Sequence, residues 1–167
     1  NDLSDLSFND QLIIYADKGD TSAALKLINR GADVNATTYE GVTPLMFATQ
    51  NDDTAMLKLL LQHGAKVDKK PLNGYTSLIS AILNGSIQTA EFLIRNGAAV
   101  NLPDNDNTTP LMHAISVDSF YLADMLLYYD AKVDLKNKQG TDALMVASMV
   151  NRFEIAVKLL EAGADIN

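Results

Sequence analysis

The chain holds two histidines and no cysteine, so metal ligation or nucleophilic catalysis would have to be assembled from His63, His113 and carboxylates. A catalytic histidine needs a nucleophile and an orienting partner within hydrogen-bond reach. His63 stands beside Gly64, His113 lies between Met112 and Ala114, and neither spacing supplies such partners. Both are read as surface or hydrogen-bonded structural residues. Asp104, Asn105 and Asp106 form an oxygen-rich cluster that could hold a hard cation, but the ligand order and closing glutamate of an EF-hand loop are missing. The cluster is read as a solvated turn tip, with weak cation binding as the alternative. No Gly-rich phosphate loop and no His-Glu-x-x-His occurs, and the six methionines fall mostly at apolar phases, where they serve packing. These residues point to no enzyme, no metal and no cofactor.

The elements that carry these residues recur every 33 positions. Leu12, Leu45, Leu78, Leu111 and Leu144 form one column, Leu27, Leu60, Leu93, Leu126 and Leu159 a second, and Ala32, Ala65, Ala98, Ala131 and Ala164 a third. Three such columns at one period mark an array of repeated units, approximately 5–37, 38–70, 71–103, 104–136 and 137–167, taken together as a single domain over 1–167. The two histidines occupy different phases of that repeat.

Composition narrows the partners. With 47% hydrophobic residues the 167-residue chain has the apolar content of a folded soluble protein, and it has no apolar run of the length that spans a bilayer. Membrane insertion is not expected. A formal charge of -8 with 13 scattered basic residues lacks the basic stripe that phosphate neutralisation needs, so nucleic acid is not an expected ligand either. Zero cysteine suits either redox compartment. The start at Asn1 without methionine fits a trimmed start or a removed signal peptide. The expected location is therefore cytoplasmic or, in the second case, periplasmic or secreted.

Within each unit the local chemistry predicts two short helices. The first is announced by a capping side chain: Thr43 before Pro44, Thr76 before Ser77, Thr109 before Pro110, Asp142 before Ala143, and Asp10 in the first unit. A second cap follows at Asp20, Asp53, Ser86 and Ser119, with Arg152 as the exception, and Gly19 and Gly85 tighten two of these links. The second helix ends at Gly31, Gly64, Gly97 and Gly163; Asp130 replaces glycine once, which predicts a slightly strained end without a break. Gly41, Gly74, Asn107 and Gly140 supply positive φ at the tip of each following turn.

The run Gly41-Val42-Thr43-Pro44-Leu45, with Ala48, Leu59-Leu60-Leu61 and Gly64-Ala65-Lys66-Val67-Asp68, resembles the ankyrin repeat, and the resemblance covers roughly residues 8 to 167. It implies an all-α, ankyrin-type α-solenoid of about five helix-turn-helix repeats with hairpin-like turns. One departure recurs. The family's histidine after leucine is Met46, Ile79, Met112 and Met145, which implies that its inter-repeat hydrogen bonds give way to more purely apolar stacking. At the two ends, Lys26 and Lys158 replace the Leu59, Phe92 and Met125 of inner units and are read as polar covers for terminal faces, with a small helix rotation as the alternative.

The resemblance implies a non-enzymatic module that binds another protein, neutral or basic given the acidic balance, through its concave surface and turn tips. Carried position by position, that surface includes Tyr39, Glu40, Val42, Gln50, Leu72, Asn73, Tyr75, Leu83, Asn84, Asn105, Asp106, Val117, Lys138, Met149 and Val150. Tyr39, Leu72, Tyr75, Leu83, Val117, Met149 and Val150 are apolar or aromatic where solvent favours polar groups. Phe120, Tyr121, Tyr128 and Tyr129 share one helix; they are read as local cover, or as a partner or homodimer contact on a chain otherwise expected to be monomeric. The alternative function is a structural or protective ankyrin protein of a bacterial envelope.

Overall fold

In the computed structural model, which describes residues 3–166, every repeated unit becomes two helices. These are α1 (Phe8–Lys18), α2 (Thr21–Asn29), α3 (Pro44–Gln50), α4 (Thr54–Gln62), α5 (Ser77–Leu83), α6 (Ile87–Arg95), α7 (Pro110–Ser116), α8 (Phe120–Tyr128), α9 (Ala143–Met149) and α10 (Phe153–Glu161), with no strand among the described residues. Asn1, Asp2 and Asn167, at the ends of the expected 1–167 domain, lie outside the described residues.

The caps explain where the helices begin. Thr43 and Thr109 each accept a hydrogen bond from the N–H three residues on, at 3.3 and 3.2 Å, and the prolines after them have no N–H to leave unpaired. Thr76 caps α5 through the N–H of Ile79 at 3.3 Å, and Asp142 caps α9 through that of Met145 at 2.9 Å. The first unit departs from this register. α1 starts at Phe8 and is capped by Ser7, whose Oγ accepts from the Asp10 N–H at 3.1 Å and donates to the Asp10 carboxylate at 2.6 Å. Asp10 is thus inside the helix, because an 11-residue α1 runs further back than the seven-residue first helices of later units.

Asp20, Asp53 and Ser119 cap α2, α4 and α8 through the N–H groups of Ala23, Met56 and Leu122. Arg152 has no acceptor to offer at this place; its guanidinium pairs instead with Asp118 in the preceding unit. The turn between paired helices needs positive φ, which Gly19 and Gly85 supply at no steric cost, while Asp52, Asp118 and Asn151 reach φ of 52, 59 and 57° at the same phase. Asp130 takes φ of 62° just beyond α8, and that helix ends without a break.

Packing follows the leucine columns. The second-helix leucines 27, 60, 93, 126 and 159 are at most 4% exposed, each burial being worth about 1.5–3 kcal/mol of transfer free energy. The chain divides into two compact units after Ser80. In the first, α1 packs on α2 and α3, α3 on α4, and α2 on α4; in the second, α7 packs on α8 and α9, and α10 on both α8 and α9.

Lys158 does not cover a terminal face. Its ammonium lies 2.6 Å from Asp124 of the preceding repeat and 5.9 Å from the centre of the Phe120 ring. At this phase Lys158 reaches back to the previous repeat, whereas Lys26 in the first unit is exposed. Two of the methionines at the place of the family's histidine also act as acceptors within their own repeat. Met46 and Met112 are buried, yet their Sδ atoms accept the Thr43 and Thr109 backbone N–H groups at 3.4 and 3.5 Å. A thioether is a weak acceptor, but it reaches a donor that would otherwise be buried unpaired.

Polar ties between neighbouring repeats run through the asparagines that follow Val34 and Val100. Asn35 donates to the Gly64 carbonyl at 3.1 Å and accepts from the Lys66 N–H at 2.7 Å; Asn101 does the same with Asp130 and Lys132 at 3.3 and 2.8 Å. A side-chain amide suits this place because it can donate and accept at once.

Asp104 is not a solvated tip. It is 5% exposed, its Oδ1 accepts from the N–H groups of Asp106 and Thr108 at 2.8 and 2.9 Å, and its Oδ2 lies 2.9 Å from His113 Nε2. Burial alone would raise its pKa, but the Thr108 and Asp106 N–H groups and His113 outweigh that and hold it below the ordinary carboxylate value. Asn105 and Asp106 are exposed, as expected of the tip itself.

Two stability measurements follow. The Ser77 hydroxyl is buried with no hydrogen-bond partner among the described residues, at the helix position that Pro44 and Pro110 fill in other units. Ser77→Pro removes an unpaired hydroxyl and restricts the unfolded chain, so urea unfolding is expected to show a gain of about 1 kcal/mol; a loss contradicts this. Asp104→Ala removes three hydrogen bonds to a charged acceptor and is expected to cost about 2 kcal/mol at pH 7. Because the folded pKa lies below the unfolded one, that contribution is complete above the unfolded value and disappears as pH falls through the folded one. The deficit between variant and wild type should therefore shrink in melts taken below about pH 4, and a deficit independent of pH overturns the assignment.

Candidate protein-interaction surface

The tips are hairpin-like turns closed by backbone and short side chains. In the first compact unit Thr38 N–H donates to the Val42 carbonyl at 3.0 Å, and the Thr38 hydroxyl accepts from Val42 N–H at 3.2 Å. The next tip is tied directly to it, since Leu72 N–H donates to the Glu40 carbonyl at 2.8 Å. This approach needs Gly41: its φ is +82°, and a Cβ there would meet Pro71 Cα at 3.2 Å. In the second unit the Asp104 tip is joined to the next one by the Lys138 N–H and the Asp106 carbonyl at 2.9 Å, reinforced by the side chains of the same two residues at 3.5 Å.

These ties fix the backbone and leave side chains outward. In the first unit Tyr39 and Leu72 are 90% and 70% exposed, beside exposed Glu40, Gln50 and Asn73. The Tyr39 hydroxyl donates to Glu40 at 2.8 Å, and that hydrogen bond, followed by the carboxylate charge, raises the tyrosine pKa. Val42 and Tyr75 are half-buried, so part of each side chain folds back on the repeat. In the second unit Leu83, Asn84, Asn105, Asp106, Val117, Lys138 and Met149 are exposed, with Met149 at 80%, and Val150 is half-buried.

The two tyrosines of α8 and Tyr129, the residue that follows it, behave differently from one another. Tyr121 and Tyr128 project into solvent, whereas Tyr129 packs edge-to-face on Tyr128 and its hydroxyl lies 3.2 Å from Arg95 Nε. Arg95 is itself held by Glu91 at 2.7 Å, an exposed pair of small energetic weight. His63 stands apart from the tips; its Nδ1 lies 2.9 Å from the Leu59 carbonyl at the end of α4. Among the described residues no group of three or more histidines and carboxylates is placed to hold a metal ion, and no helix is long and apolar enough to cross a membrane.

One apolar surface escapes the sequence reading. The side of α9 and α10 turned away from α7 and α8 forms a groove of about 750 Å³ lined by Leu144, Met145, Met149, Ala156, Leu160 and Ile166, among others. Its signal in the sequence is that Met145 has the phase of the buried Met112, a comparison that says nothing by itself about exposure.

The comparisons with known proteins agree with this geometry. A family model described as ankyrin repeats (3 copies) matches residues 12–104 and again 92–167, and no curated protein matches the chain significantly. The helix pairs, the tips and this match, which spans nearly the whole sequence, place the chain in the ankyrin-repeat family, whose repeats are generally protein–protein interaction modules.

Proposed function

We propose that this chain is a non-enzymatic recognition module that binds a partner protein through its turn tips and the ends of its first helices. The observation that carries the reading is the contrast at the tips of the first compact unit. A backbone held by Gly41 and the Leu72–Glu40 hydrogen bond displays Tyr39 and Leu72 almost fully to water. Apolar groups on a pre-organised backbone cost little ordering entropy on binding, and a tyrosine offers a large contact area with few rotatable bonds. Leu83, Val117 and Met149 extend the same character in the second unit, and Tyr75 and Val150 add half-buried edges. Glu40, Gln50, Asn73, Asn84, Asn105, Asp106 and Lys138 supply the polar contacts that fix orientation. A chain of formal charge -8 favours a neutral or basic partner, whose association slows as salt rises.

Cross-linking in an extract of the source cells, followed by mass spectrometry, tests this. Tyr39→Ala with Leu72→Ala is expected to lower recovery of the specific complex about tenfold, the scale of a truncated hot spot. Tyr121→Ala with Tyr128→Ala should leave it nearly unchanged. If the α8 pair abolishes the complex and the tip pair does nothing, the interface lies on the second helices and the assignment fails.

A further inference from the structure

α8 carries more apolar surface than its packing uses. Its sequence from Phe120 to Tyr128 includes one charged side chain, Asp124, and its inward face is made by the buried Leu122, Ala123 and Leu126. On the solvent side stand Tyr121 and Tyr128, 74% and 80% exposed, so the pair covers little of the core. A helix that is apolar on both sides is normally covered on both. α8 is flanked by α6 and by α10, so this exposure belongs to an inner repeat. Elsewhere in the array the same two phases hold small or polar residues: Ser22, Ala55, Gln88 and Glu154 at the first, Asn29, Gln62, Arg95 and Glu161 at the second. Stacking of repeats therefore does not ask for tyrosine here. Each ring is also braced. Tyr121 stands edge-on to Phe120 with ring centres 6.2 Å apart, and Tyr128 edge-on to Tyr129 at 5.2 Å. The Tyr129 hydroxyl in turn accepts from Arg95 Nε at 3.2 Å and donates to Glu91 at 3.4 Å. Rings held in this way lose little freedom on binding.

We infer that a second copy of this chain covers the tyrosine pair, α8 against α8, about a two-fold axis. Two features select this occupant. The first is order: a separation of seven residues puts the rings about 10 Å apart along one helix face. On an antiparallel copy the order reverses, so Tyr121 of each copy meets Tyr128 of the other, and the face matches itself. The second is charge. The ionic group of α8 and those that brace Tyr129 are matched within the chain, Asp124 with Lys158 at 2.6 Å and Glu91 with Arg95 at 2.7 Å. A chain of formal charge -8 therefore offers a nearly neutral face along α8, which gives a basic partner no excess charge to grip and lets two acidic chains meet without facing like charges. Size sets the strength. A tyrosine buries about 150–250 Å², so four rings bring together roughly 600–1,000 Å², at the low end of specific interfaces. The dimer is accordingly weak, with a dissociation constant on the order of 100 µM, and two-fold closure stops it at two copies.

Sedimentation equilibrium of the full chain over about 10–500 µM tests the inference, a range that brackets such a constant. The expected result is a reversible shift from the 18.1 kDa chain toward twice that mass and no further, unchanged by added salt because no net charge is paired across the axis. Tyr121→Ser with Tyr128→Ser, both at exposed positions, should weaken the dimer about tenfold or more. Tyr39→Ala with Leu72→Ala should leave it as it is, which separates failure of the dimer from failure of the tip assignment. Brief photo-oxidation of the concentrated chain, which couples phenol rings in contact, should give a covalent dimer whose principal link, mapped by mass spectrometry, joins Tyr121 of one copy to Tyr128 of the other. A single species at the chain mass throughout, growth beyond two copies, a dimer lost with the tip pair and kept without the α8 pair, or covalent links that run chiefly through Tyr39 would each overturn the proposal.

Discussion

The fold depends on one constraint: a pair of short helices has too little interior to bury its own apolar side chains, and can do so only against the next pair. α4 shows the arithmetic. Nine residues present Met56, Leu57 and Leu60, all fully buried, yet an isolated helix of that length is marginal in water. Burial arises from packing of α4 on α2 and α3. Every other device serves that packing. Threonine and aspartate caps start the helices in phase, positive-φ residues turn the chain sharply between them, and the asparagine forks at Asn35 and Asn101 hold successive turns at a fixed spacing.

The same constraint separates what carries stability from what is available for recognition. Residues at inward phases are fixed in type, whereas tip residues answer only to the backbone that holds them. Tyr39, Leu72 and the Asp104 turn show two ways of holding a tip. The first relies on close backbone approach at Gly41, and the second on a buried carboxylate that gathers two N–H groups and a histidine. The first tip displays Tyr39 and Leu72 to water, and the second displays Asn105 and Asp106.

Much of this is legible in the sequence, because a repeat reports its own register. The leucine columns locate the second helices, the Thr-Pro pairs and their Thr-Ser equivalent locate three caps, and the place of Asp130 in the glycine series predicts its positive φ. What escapes has physical reasons. The Ser7 cap lies outside the register, since the first helix is longer than its counterparts. Lys158 is misread because a phase identifies a face but not which neighbour that face meets. The pairing of Asp104 with His113 joins two residues nine apart whose meeting depends on the turn folding back onto α7. The Met46 and Met112 sulfurs read as packing and are also acceptors, a role no spacing announces. The tip residues are legible as positions, and their exposure divides them: Tyr39 and Leu72 stand clear of the surface, Tyr75 and Val42 do not.

If nearest-neighbour stacking governs this protein, a whole repeat is a removable part. Excising residues 41–73 removes α3 and α4 and joins Glu40 to Gly74 without changing the phase of any remaining residue; Asn35 then faces the Gly97 turn in place of the Gly64 turn. Circular dichroism during urea unfolding is the direct measurement. The account predicts a helical protein that still unfolds in one transition, at a lower midpoint than the full chain. Loss of helical structure in the shortened chain would contradict it, and would mean that the fold is one indivisible core.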